Sequence, residues 1–396
     1  MHRQEIIDER SRIAGYRFNA HWLTSGNAVD GGSRLDLLLK ESITNLAQRR
    51  LAVIPITPQD WQDHDFRQLG APGTVFLVDL PASAGKQPDT LAILADIRAC
   101  GAKAALPGSA IAVSGALDAA DMLLLDFGDY SLEAFERVVS DLKRRRPSLQ
   151  LMVENIGSWP EHRLCLARGT HYALGEFAAQ TDTEDTQEKL NQSRLVLIEL
   201  LQLLRQDADA ALLADIAKRD PAVALKVVAM ANSPAAGLGS SVASVDQAIT
   251  VLGRSYLYRW LTISMFRVGG SPRDEGLLEL ALRRARFLEN LAQERLPKHE
   301  ADELFLVGLL SLVEVLLGTP INKIIAGMNL PESVTSVLVN SDGPYARYLA
   351  LAIAIERGRM EHAARLAGQL ELDAPSIEAA SYEAQRWTEQ ALAAVE

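Results

Sequence analysis

The stretch DPAVALKVVAMANSP, residues 220–234, reads as one complete helix with its punctuation attached. Asp220 can cap the first free amides, Pro221 fits the first helical position, and Asn232, Ser233 and Pro234 stop the run. Between those ends only Lys226 is strongly polar, so the helix is expected to be apolar nearly all round and buried in a larger helical assembly.

The sequence around it supports that assembly. LVLIELLQLLRQ precedes it, and SVDQAITVLG follows, with Ser244 and Gln247 at capping-box spacing. SYLYRWLTISMFRV, EGLLELALRRARFLENLAQERL, the run from Leu304 and YARYLALAIAIERG continue the series without a comparable strand candidate. Upstream of about residue 180 the pattern differs. LAVIPI (51–56), TVFLVDL (74–80), AKAAL (102–106), DMLLL (121–125) and LQLMV (149–153) read as buried strands, alternating with helix candidates such as RLDLLLKESITNLAQ and SLEAFERVVSDLKRR. Such alternation implies a parallel sheet, open or closed into a barrel. A full barrel usually takes about 250 residues, so one built here is trimmed. The polar segment 179–189, which has no apolar period, reads as a linker between a first domain (1–178) and a helical one (190–396).

Composition narrows the function classes. The chain has 396 residues, 48% of them hydrophobic, and a formal net charge of -11, which argues against nucleic acid as a partner because phosphate contacts need basic surface. One dense basic run, Lys143 to Arg146, ends a predicted helix; it reads as a solvated face that complements the helix dipole, with phosphate binding as the other reading. Two cysteines, Cys100 and Cys165, are too few for a disulfide framework or an all-cysteine zinc site. The charged start MHRQEIIDER lacks the apolar core of a signal peptide. LFLVGLLSLVEVLLG, broken by Glu314, is shorter than the roughly 20 residues that span a bilayer. The expectation is a soluble cytoplasmic protein with no membrane insertion.

Candidate chemistry is sparse. Asp79, Asp126 and Glu154 stand at strand ends, where three acids could hold magnesium or could be ordinary loop residues and caps. His64-Asp65 lies in a polar stretch, and His299 and Glu303, four apart, lie in a charge-rich one; both read as solvated faces. No phosphate loop, dinucleotide fingerprint or GxSxG elbow is present. Chemistry read from the residues alone yields no active site.

Taken together, the two halves resemble a signalling family in which an EAL-type cyclic-di-GMP phosphodiesterase barrel precedes an HDOD domain. The residues from Asp220 through Trp260 resemble the HDOD signature nearly end to end, including Asp220-Pro221, Asn232-Ser233, Ser244, Ala248, Leu252-Gly253 and Trp260. IAGYRF, VFLVDL, ADMLLLDF, LMVENIGS and RGTHYALGEFAA resemble islands of the EAL barrel. The resemblance implies a multidomain α/β plus all-α protein: a trimmed, degenerate TIM-type barrel followed by an all-helical domain.

It also implies which functional residues have been replaced. Arg17 stands where the family's first strand carries a metal-binding glutamate, Pro55 where a metal-binding asparagine falls, and Pro107-Gly108 where a paired aspartate motif falls. Leu124 replaces the lysine that organises the attacking water, and Gly157 the second of paired glutamates, while Asp79, Asp126 and Glu154 line up with family acids. A guanidinium about 4 Å from a divalent ion repels it by roughly 2 to 8 kcal/mol. In the helical half, Gly308, Leu309, Leu310, Ser311 and Leu312 stand where an active HD enzyme has histidine and aspartate after glycine and two apolar residues.

The expectations are therefore no catalysis, no cofactor and no metal, in a regulator acting through protein–protein interaction with other signalling proteins in cyclic-di-GMP-related signalling. The alternative is a cyclic-di-GMP receptor without hydrolysis, with Arg17 taking over phosphate recognition; residual phosphodiesterase activity ranks last. Candidate contact residues are Asn232, Arg259, Trp260, Tyr345 and Arg357; on the competing reading Asn232 caps a helix while Arg259 and Trp260 are packing residues.

Overall fold

The computed structural model describes residues 2–19, 31–79, 90–113, 115–182, 192–232, 242–267, 271–293, 295–326, 328 and 330–393. Ser233 and Pro234 of the quoted stretch, Leu80, and 183–189 of the expected linker lie outside the described residues. The chain divides into two compact units, Met1–Gln180 with Ile353–Arg365, and Thr181–Ala352 with Leu366–Glu396.

The first unit is a closed barrel of eight strands in sequential order. They are β1 (His2–Asp8), β2 (Ile13–Asn19), β3 (Leu51–Ile56), β4 (Thr74–Val78), β5 (Lys103–Pro107), β6 (Met122–Asp126), β7 (Gln150–Ile156) and β8 (Tyr172–Gly175). From β2 to β8 all neighbours are parallel, and β1 runs antiparallel to both β2 and β8. Buried parallel strands are apolar on both faces, which is why LAVIPI and MLLLD read as unbroken runs. Val53, Leu77, Leu124 and Met152 fill the interior with Ile6, Leu51 and others. On the outside, Trp61 and Phe66 meet Phe76 of β4 edge to face, at centroid distances of 5.0 and 6.3 Å. Trimming falls on the connections: among the described residues only a 3-10 turn (Gly108–Ala112) and the four-residue helix Ala116–Ala119 lie between β5 and β6.

The charged N-terminus, read from sequence only as lacking a signal peptide, is the strand that closes the barrel. Its polar residues find partners within the barrel unit: Arg3 pairs with Glu41, and the His2 ring with the Glu356 carbonyl. At the other seam the chain crowds against β7, since a Cβ on Gly175 would lie 1.9 Å from the Ile156 carbonyl oxygen, a position open only to glycine.

In the second unit the described residues form helices and no strand. The helix Pro272–Gln293 runs through its core against Lys298–Leu310 and Ala374–Ala393. Gly308 permits the first contact: a Cβ there would lie 2.5 Å from the Ala285 Cα. A buried ion pair, Arg194 Nη2 to Asp274 Oδ2 at 2.7 Å, is completed by Arg194 Nε donating to the Met265 carbonyl at 3.1 Å. The run from Leu304 breaks into two helices at Ser311–Leu312. Among the described residues no helix is long and apolar enough to cross a membrane.

The opening stretch forms the helix Pro221–Ala231, capped as its sequence suggests, with Asp220 Oδ1 accepting from the Ala222 and Val223 amides. Its expected all-round burial is not found. Val223, Val227, Met230 and Ala231 form one buried stripe, whereas Leu225 is 71% exposed. A stripe spaced i, i+4, i+7, i+8 needs only one packed face, and the remaining apolar side chains stay outside.

Burial alone pushes the Asp220 carboxyl up, but hydrogen bonds from Ser193 and the Val223 and Ala222 amides, with the Lys226 charge, hold it below its ordinary value. A depressed native pKa contributes stability that is present above the unfolded value and lost as pH falls through the native one. Urea midpoints are therefore expected to show wild type losing its advantage over Asp220→Asn as pH falls below about 4. A difference independent of pH across that range would contradict this.

Candidate functional site

The C-terminal ends of the parallel strands form the mouth at which barrels of this kind place their functional groups. Arg17 of β2 is the register partner of inward-facing Val53. Glu154 and Asp126 lie two residues beyond inward-facing Met152 and Leu124, and the two acids are register partners across β6 and β7. Alternation along the strands thus brings these three groups to one layer above the aliphatic interior.

There they are already engaged. Arg17 Nη1 lies 2.5 Å from Glu154 Oε2, with the side chains 16% and 21% exposed. Asp126 Oδ1 accepts from the Gly128 amide at 2.8 Å and Oδ2 from Asn155 Nδ2 at 2.7 Å. Asn155 reaches back because the β7–β8 register shifts between Val153 and Ile156, and its φ is 60°. Arg17 Nε is buried and has no hydrogen-bond partner among the described residues. A second guanidinium, Arg34, donates to the carbonyl of Pro55 at the end of β3 and lies 3.6 Å from Asp60. Burial lowers its pKa, partly offset by Asp60.

The third acid of the expected set stands apart: Asp79 follows β4, is exposed, and its amide donates to the Ile56 carbonyl. Among the described residues no group of three or more His, Cys, Asp or Glu side chains is placed to hold a metal ion. The arrangement does not fit a divalent ion as it stands: Glu154 carries a cation, both Asp126 oxygens accept from neutral donors, and the interior below holds Leu124 rather than a lysine. Metal binding here requires Arg17 to leave Glu154.

In the helical unit Ser311 Oγ donates to the Gly308 carbonyl at 2.6 Å and accepts from Arg284 at 2.7 Å, while Leu312 is buried. His64 and Asp65 sit at the end of a short helix beside Arg67. His299 is exposed, whereas Glu303 accepts from Ser333 at 2.6 Å and Tyr345 at 2.8 Å.

The candidate contact residues are spread rather than gathered. Tyr345 is buried on Glu303, and burial and that carboxylate push its hydroxyl pKa up. Asn232 exchanges hydrogen bonds with the Val242 amide and carbonyl at 2.7 and 2.8 Å, tying the helix end to the next segment. Arg259 pairs with Glu289 at 2.7 Å and lies over the Phe305 ring. Arg357, in the barrel unit, lies 3.5 Å from Glu176 beside Arg359. Trp260 is half-buried. Asn155 and Arg34 carry no site reading in the sequence, and Glu303, weighed there only beside His299, instead serves Ser333 and Tyr345.

Residues 191–323 match the family described as the HDOD domain. One relative, the cyclic di-GMP phosphodiesterase CdgJ of Vibrio cholerae, is 25% identical over 171 residues, 43% of this chain and 40% of its own length. Another, the uncharacterized protein YuxH of Bacillus subtilis, is 28% identical over 158 residues, 39% of this chain and 38% of its own. The matched region thus spans about two fifths of these relatives. Among solved structures, the Bacillus subtilis YkuI protein with an EAL domain, in complex with c-di-GMP and calcium, shares 14% identity, a TM-score of 0.35, and coverage of 44% of this chain and 53% of that one. A standalone EAL protein from Vibrio cholerae, bound to c-di-GMP, shares 15% identity, a TM-score of 0.35, and coverage of 44% and 88%. A closed eight-stranded barrel thus precedes a helical region that matches the HDOD domain. The expectation that it is not an enzyme is corrected: CdgJ is named as a phosphodiesterase, so the comparison points to an enzyme family.

Arg17→Ala is expected to release Glu154 and strengthen manganese binding at least about tenfold in calorimetry, a change of about 1.4 kcal/mol. Unchanged affinity would mean that the ion pair does not oppose the metal.

Proposed function

We propose that this chain is a signal-transduction protein of cyclic-di-GMP-related signalling: its barrel mouth recognises the cyclic dinucleotide, and its helical domain acts through contact with another signalling protein. The observation that carries this reading is the guanidinium at the mouth. Arg17 has one nitrogen on Glu154 and a buried Nε without a partner among the described residues. A guanidinium fork matches phosphate oxygens, and an unmet donor in a half-buried layer is costly until an acceptor arrives. Arg34, which donates to the Pro55 carbonyl at the end of β3 and pairs with Asp60, adds a second guanidinium on the same rim. The name of CdgJ, a cyclic di-GMP phosphodiesterase, agrees with this ligand class.

A second reading, hydrolysis of the same ligand, is favoured by that name and by the persistence of Asp126 and Glu154 side by side. Its first requirement is that Glu154 exchange Arg17 for another partner.

Calorimetry is expected to give saturable cyclic-di-GMP binding with Kd of about 1 to 50 µM, weakened at least about tenfold in Arg17→Ala. Absence of saturation at about 1 mM would overturn the proposal. Chromatography of the same mixtures with magnesium or manganese discriminates the second reading, which requires a linear product.

The protein-contact half rests on half-buried Trp260 and exposed Leu225 in a domain whose Ser311 and Leu312 serve packing. Cross-linking in native extract is expected to yield a signalling protein that is lost in a folded Trp260→Ala variant. Retention in that variant would remove Trp260 from the contact.

A further inference from the structure

The opposite pole of the barrel carries a different kind of site. The β1–β2 turn and the N-terminal ends of β3, β4, β7 and β8 enclose a cleft of about 580 Å³, within the usual range for small-ligand sites. Its wall includes Arg10, Arg12, Arg49, Arg50, His171 and Tyr172. Four guanidinium groups there face two carboxylates, Asp8 and Glu9, in a chain whose net charge is -11.

The local bonding separates cations with a structural task from cations without one. Asp8 accepts from the Arg10 and Arg12 amides at 2.8 and 2.9 Å and from Arg12 Nε at 3.1 Å, so it folds the turn and neutralises Arg12. Arg50 donates to the Tyr16 hydroxyl at 3.3 Å. The guanidinium groups of Arg10 and Arg49 have no hydrogen bond or ion pair among the described residues. Behind them, His171 Nδ1 accepts from the Leu151 amide at 2.9 Å, and its Nε2 lies 3.1 Å from Lys143 Nζ. Lys143 opens the basic run whose solvated-face reading therefore covers only part of it. Burial lowers the pKa of both groups, and the Lys143 charge lowers that of His171 further, partly offset by the Leu151 hydrogen bond and the Glu9 charge.

The N-terminal face of such a barrel ordinarily serves stability alone, which does not explain two uncompensated guanidinium groups lining a concavity. Concave clefts with an excess of one sign focus field and concentrate the opposite ion, and here four guanidinium groups outnumber two carboxylates. Phosphate oxygens suit guanidinium forks, and the tilted His171 and Tyr172 rings, 6.4 Å apart, offer a wall for a flat ring. The net negative charge of the chain disfavours a long polyanion, and the volume suits a mononucleotide. We propose that this pole is a second binding site, for a small phosphate ester of nucleotide size, with Arg10 and Arg49 as its phosphate contacts. It is independent of the reading given to the Arg17 mouth.

The probe is ADP, titrated into the full chain by calorimetry at low salt. The expected result is one saturable event with Kd below about 100 µM, weakened at least about tenfold in the Arg10→Gln/Arg49→Gln double variant and unchanged in Arg17→Ala. Both arginines lie on the surface, so the double variant is expected to keep its circular dichroism and melting temperature; Arg49→Glu alone provides a second variant with the same expected loss. Absence of saturation at about 1 mM ADP, equal affinity in the double variant and in Arg49→Glu, or loss of binding in Arg17→Ala would each overturn the proposal.

Discussion

The ion pair between Arg17 and Glu154 determines what the barrel mouth can be. It joins β2 to β7, strands separated in the barrel by β1 and β8, above a layer of Val53, Leu77, Leu124 and Met152. Such a floor lowers the local dielectric, so the attraction is stronger than between exposed charges, and removing either partner strands the other. Asp126, each oxygen accepting one hydrogen bond, from Gly128 and Asn155, completes a mouth that is held together by its own hydrogen bonds.

The central strands were legible because parallel strands buried on both faces must be apolar throughout, and LAVIPI and DMLLL have no other reading as short runs bounded by turns. β1 was not legible. HRQEIID carries four charged or imidazole groups, and only its pairing with β2 and β8 and the partners of Arg3 and His2 make it a strand. The helix after Asp220 shows the converse limit. Its ends were readable from cap chemistry, but an apolar sequence does not say which face finds a neighbour, and Leu225 is left outside.

The site was legible in identity and not in pairing. Glu154 is readable as a strand-end acid and Arg17 only through the family resemblance; that they meet follows from closure of the barrel across a sequence separation of 137. Asn155 takes its role from a bulge and a left-handed backbone, which no spacing rule anticipates. The candidate contacts illustrate the same limit, since Tyr345 and Asn232 turn out to tie the helical unit together through Glu303 and Val242. The opposite pole was invisible for a further reason: Arg10, Arg49 and His171 lie far apart in sequence and converge only because strand N-termini share one end of a barrel.

The most direct measurement is a crystal structure of the full chain with cyclic-di-GMP and manganese, using anomalous scattering to locate the metal. The account predicts a phosphate oxygen within hydrogen-bond distance of the Arg17 guanidinium, occupying the donor that is unmet without ligand. A dinucleotide held instead through a manganese ion on Asp126 and Glu154, with Arg17 turned away from the phosphate, would contradict it.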